Sequence, residues 1–159
     1  MKLGLTLVGL LALASCTTHT GDSMELTDTT DSKYEVGQVW KYRARPTEPN
    51  STLTILKVES TPTAGVIVHI SVDSLRMKNP QELAASRSIG HMPFAEAAID
   101  SSATELLKSN QAVPADFMEG YNIWREAFLA GKGGIFSIPV SEGVAYSEQT
   151  MATGTRTVE

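Results

Sequence analysis

The sequence predicts an α+β domain: an antiparallel sheet of about four strands with two to four helices packed on one face. Three observations carry this reading. Period-two segments joined by short turns run from Val36 to Leu75, helical spacing takes over after Asn79, and a short apolar run, Ile135–Val140, follows a glycine cluster. Successive strands with short connections pair antiparallel. A chain of 159 residues, 42% of them hydrophobic, has room for one core and none for a second domain.

The first strand spans Val36–Ala44. Alternation puts Trp40, Tyr42 and Ala44 on one face and Lys41, Arg43 and Arg45 on the other. The stretch Pro46-Thr47-Glu48-Pro49-Asn50-Ser51 breaks it, and Thr52–Glu59, rich in β-branched residues, forms the second strand. A turn at Ser60–Gly65 leads to a third, Val66–Leu75, with Val66, Val68, Ile70 and Val72 on one face.

Helical signals begin at Asn79-Pro80-Gln81-Glu82, with a cap, a first-turn proline and a capping acid, in a short helix ending before Gly90. A longer helix is expected from Pro93 to about Ser109, burying Ala95, Ile99, Ala103 and Leu106. The next runs from Asp116 to Gly131 with an apolar stripe of Phe117, Tyr121, Trp124 and Phe128. Ile135–Val140 reads as a fourth strand, with Pro139 marking an edge or an end. Ser141 then caps a last helix through about Met151, and residues 152–159 lack a core pattern.

Upstream, Met1-Lys2 precedes an uncharged run, Leu3–Ala14, with the layout of an export signal and too short to span about 30 Å of hydrocarbon. The run ends in Leu13-Ala14-Ser15-Cys16, which resembles the lipobox of bacterial lipoproteins. That resemblance implies cleavage before Cys16, a diacylglyceryl group on its thiol, commonly an acylated amino terminus, and attachment in the cell envelope. In a Gram-negative cell, the absence of Asp at Thr17 implies the outer membrane, facing the periplasm. Several acyl chains anchor firmly where one is marginal. The alternative is cleavage after Ala12-Leu13-Ala14, which leaves a soluble exported protein with a free Cys16 thiol.

The expected organisation is therefore a signal peptide at 1–15, a lipidated Cys16 with a polar tether to residue 33, one domain over 34–151, and a frayed tail. The tether carries four acids and few apolar residues. Within the domain, Gly37-Gln38-Val39-Trp40-Lys41-Tyr42 and the helical segment Gly120–Phe128 (G-Y-x-x-W-R-E-A-F) are similar to segments of small uncharacterised bacterial proteins. This resemblance implies a shared fold and carries over no functional residue.

A formal charge of −5, reaching −6 once the Lys2-bearing leader is removed, with no basic tract, argues against nucleic-acid binding. One Cys and three scattered His give no metal-ligand spacing and no disulfide, and no cofactor is expected. His69, Ser71 and Asp73 alternate along one strand face, but neighbours about 6.6 Å apart with parallel side chains do not make a nucleophile–base pair. They read as the polar face of a half-solvated strand. His19 reads as a solvated tether residue, and His91 as a hydrogen-bonded loop residue.

The glycines of Gly131-Lys132-Gly133-Gly134 read as a helix stop, since the order helix-then-strand is the reverse of a phosphate loop. Lys41, Arg43 and Arg45, with Lys57 nearby, form the candidate binding surface for a phosphate or an acidic protein. The competing reading pairs them with Glu48 or Glu59. By subtraction, the expected function is a non-enzymatic, membrane-anchored protein-binding module, of inhibitor or immunity type. A small envelope hydrolase and a carrier of an apolar ligand are the alternatives.

Overall fold

The computed structural model describes residues 25–77 and 87–153. The order is β1 (Thr27–Asp28), β2 (Val39–Tyr42), β3 (Thr52–Thr61), β4 (Gly65–Asp73), β5 (Ile89–Ala95), α1 (Glu96–Ser102), β6 (Ala103–Lys108), α2 (Phe117–Leu129) and α3 (Val140–Thr153). All six strands join one antiparallel sheet, ordered β5-β4-β3-β2-β6, with β1 pairing the far end of β3. The α+β class and the β2–β3–β4 meander are those the sequence predicts.

The face of β4 carrying Val68, Ile70 and Val72 packs with Leu53, Ile55 and Val58 of β3, Met92 and Phe94 of β5, Ile99 of α1, and Val140 and Val144 of α3. This is the main core. The opposite face, carrying Ile67 and His69, is covered by α2, whose Tyr121 and Trp124 rings meet His69 at centroid distances of 5.2 and 4.8 Å. Two helices thus lie on one face and α2 on the other.

A bulge shapes each face. On β3, Ile55 pairs with Ile70 but Lys57 pairs with His69, so Leu56 is an extra residue. Before it Leu53 and Ile55 enter the core; after it Val58 does, and Lys57 and Glu59 turn to the α2 side. On β5, Met92 pairs with Ile70 and Ile89 with Val72, an irregularity that brackets His91.

Several expectations are corrected. The helix predicted from Pro93 to Ser109 is three elements: a strand, a two-turn helix and an edge strand. Pro93 is tolerated because β5 lies at the sheet edge, where a missing N–H costs no ladder bond. Ala103–Lys108 is drawn into pairing with β2, tertiary contacts overriding helical spacing, and Leu106 is exposed instead of buried. Ile135–Val140 is not a sheet strand: Phe136 alone bridges Phe94, in parallel, and Val140 begins α3. Order also starts before Tyr34, since Thr27 pairs with Ser60 and Ser32 Oγ donates to Glu96 at 2.6 Å.

The helix expected at 79–89 lies mostly outside the described residues, and its described end, from Ile89, is strand. Cys16 and His19 also lie outside them. Among the described residues no helix is long and apolar enough to cross a membrane.

Candidate functional site

The most concentrated chemistry lies between the sheet and α2. Helix α2 presents its predicted stripe inward, with Tyr121 and Phe128 buried and Trp124 and Phe128 stacked at 4.8 Å. Gly131 ends the helix in the left-handed region, at φ 70°, where glycine is favoured, and its N–H bonds to Phe128 O. Trp124 Nε1 donates to Gly134 O at 2.8 Å, tying the following loop to the helix. Gly120 sits against β5: a Cβ there would lie 3.1 Å from His91 Cβ. That contact is tighter than most, so a side chain here would push His91 and the helix apart by a few tenths of an ångström, and the glycine opening the Gly120–Phe128 segment lets them approach without that shift.

Beneath α2 runs a linear hydrogen-bonded array. Tyr121 Oη donates to the Glu59 carboxylate at 3.0 Å, His69 Nε2 meets Glu59 Oε1 at 3.0 Å, and His69 Nδ1 meets His91 Nε2 at 2.9 Å. His69 is 0% and Glu59 2% exposed. Lys57 Nζ lies 3.3 Å from Glu59 Oε2 and also pairs with Asp28. Burial pushes the Glu59 carboxyl up, but bonds from His69 and Tyr121 and the charge of Lys57 outweigh it and hold the group below its ordinary value.

Burial lowers both imidazoles, His91 to about 4 with help from His69, while Glu59 only partly opposes the effect at His69. Tyr121 is pushed up to about 12 by burial and by Glu59. At neutral pH the array is thus an ionised Glu59, two neutral imidazoles and a protonated Tyr121. These states set the tautomers. His69 donates from Nε2 to Glu59 and accepts at Nδ1 from His91 Nε2–H, leaving the lone pair of His91 Nδ1 without a partner among the described residues. Chemically, the array is an oriented, neutral imidazole base at the edge of a closed polar network.

The sequence-predicted residues are distributed differently. His69 is not on a half-solvated face; α2 covers it, while Asp73, four residues on, is exposed. The basic set does not converge. Lys41 pairs with Glu105 at 2.7 Å, Arg43 donates to the Ser101 carbonyl, and Arg45 bridges Glu48 and Glu148 at 2.6 Å each. Arg45 is raised above its ordinary value, first by the Glu48 hydrogen bonds, and the same bonds hold Glu48 down.

Sequence reasoning missed Glu59, His91 and Tyr121 as partners of His69. The available signal was the α2 stripe, where Tyr121 and Trp124 combine apolar bodies with polar tips suited to a polar floor. Among the described residues no group of three His, Cys, Asp or Glu side chains could hold a metal ion. No family model, curated protein or solved structure matches the chain.

Proposed function

We propose that this chain is a cell-envelope lipoprotein, anchored through Cys16, whose domain is a non-enzymatic protein-binding module of inhibitor or immunity type. In a Gram-negative cell it would face the periplasm from the outer membrane. The observation that supports the binding role is the β6 edge. Among the described residues Ala103–Lys108 pairs with β2 along one side only, and it exposes Leu106 (43%) and Leu107 (39%) next to each other on an edge strand. An open edge with uncovered apolar side chains is the surface natural sheets ordinarily blunt, and it accepts an extended partner segment through main-chain hydrogen bonds.

Photo-crosslinking from position 107 in native membranes tests this reading. A discrete adduct that Leu106→Lys removes is expected; a chain that gives no adduct from positions 106 and 107 overturns it. The anchor is tested separately by intact mass and membrane fractionation beside Cys16→Ser, with an unmodified soluble chain beginning at Ser15 as the contrary result. The Glu59–His69–His91 array supports one second reading, an envelope hydrolase using His91 as general base. Hydrolysis of an ester or peptide that is lost in a folded His91→Ala chain would favour it.

A further inference from the structure

A second group of polar residues lies away from both α2 and β6. The β2–β3 connection, the chain leaving β4 and the chain entering β5 enclose a cleft of about 890 Å³ whose lining includes Arg76, Arg87, Asn50 and Ser74. We propose that this cleft binds a phosphate-bearing ligand through Arg76 and Arg87.

The two arginines are brought together by the backbone. Leu75 N–H donates to Arg87 O at 2.9 Å, so the segments run side by side and both arginines line the same cleft. Neither side chain has a hydrogen-bond or ion-pair partner among the described residues, in contrast to the side chains of Lys41, Arg43, Arg45 and Lys57, each of which has one. The carboxylate in the lining, Glu48, does not neutralise them. It is buried, accepts from Arg45 Nε and Nη2 at 2.7 and 2.6 Å, and accepts from the Arg76 backbone N–H at 2.9 Å. Glu48 thus fixes the Arg76 main chain while its own charge is compensated by Arg45.

Around this pair, Asn50 and Ser74 supply neutral donors, and Pro46 and Pro49 stiffen one wall. A positive cleft on a chain with a formal charge of −5 is a local inversion of field, which draws anions to one place. Two guanidinium forks offer more donors than one carboxylate can accept, whereas a tetrahedral oxyanion presents three acceptor oxygens to both forks at once. The volume exceeds what a bare phosphate fills and suits a phosphate carried on an organic group. That chemistry belongs both to phospholipid headgroups and to soluble phosphates.

The test uses the full chain in maltoside micelles and follows the Arg Nε resonances during titration with inorganic phosphate and, separately, with phosphatidylglycerol doped into the micelles. Saturable shifts at Arg76 and Arg87 are expected with at least one probe. Affinity should weaken about tenfold or more in Arg76→Gln and in Arg87→Gln, as loss of a charge-assisted bond implies, and stay unchanged in Lys132→Gln. A response to phosphate assigns a soluble ligand, and a response to the doped micelles alone assigns a headgroup. No saturable response to either probe, or equal affinity in a folded Arg76→Gln, Arg87→Gln double variant, overturns the proposal.

Discussion

The two faces of the sheet are built on opposite principles. Under α1 and α3 the contacts are aliphatic and aromatic, with Phe94, Ile70 and Ile99 fully buried and helix α3 brought so close that a Cβ on Gly143 would stand 2.8 Å from Phe94 Cζ. Under α2 the same strands present Lys57, Glu59, His69 and His91, and the helix is seated on hydrogen bonds and ring contacts. The first face is held by non-directional burial, which is insensitive to protonation. The second is held by directional bonds whose strength depends on which atoms carry protons. One sheet thus combines a face whose buried contacts, apart from Tyr34–Asp100 and Arg45–Glu148, are indifferent to pH with a face whose centre responds to it.

The largest expected effect lies on the apolar face. Phe94→Ala should cost about 3–5 kcal/mol in a denaturant titration, because the surrounding helices cannot collapse into the space left. Glu59→Gln should cost less, about 1–3 kcal/mol, by weakening bonds to His69, Tyr121 and Lys57 without opening a cavity. A Glu59→Gln cost equal to that of Phe94→Ala would break the contrast between the faces.

The pH response sharpens it. His91 is held neutral, at about 4, whereas in the unfolded chain it takes up its proton near the ordinary value of 6.5. Its contribution is therefore complete above pH 6.5 and is lost as pH falls from there towards 4, by about 1–2 kcal/mol once the ring's partial exposure is allowed for. His91→Gln should flatten that limb of the stability curve. At the alkaline end Tyr121, at about 12 against an ordinary 10, loses its contribution as pH rises from 10 towards 12. Phe94→Ala should shift the whole curve and leave its shape unchanged. The smallest effect belongs to the solvated rim, where Lys41→Ala should cost no more than about 1 kcal/mol despite its 2.7 Å bond to Glu105.

The apolar stripes were the legible features, on the main core and on α2 alike. Val68, Ile70 and Val72 announce themselves by alternation, and Phe117, Tyr121, Trp124 and Phe128 by helical spacing, because each pattern is local. Residues 89–108 were not legible in the same way. Ile99 and Leu106 share a helical face on paper, but a strand edge left open on β2 competes for Ala103–Lys108, and that competition is settled by pairing far along the chain. The polar site was half legible. Alternation correctly put His69 on the face away from the valines, but whether that face meets water depends on where α2 lands, which no spacing within β4 records. Likewise Lys41, Arg43 and Arg45 share parity in the sequence, yet β2 ends at Tyr42 and each side chain finds its own acceptor on a different neighbour.

Leu56 allows both faces to coexist on one strand. An alternating code read without interruption along Thr52–Thr61 would send the odd positions one way throughout, and Glu59 would follow Leu53 and Ile55 into oil. The extra residue acts as a frame shift in the readout of the strand: apolar odd positions before it and ionised odd positions after it obey the same rule with the phase reversed. A single inserted residue thus lets ten consecutive amino acids address two incompatible solvents, and the hydrophobicity pattern of β3 is intelligible only as two short words in place of one long one.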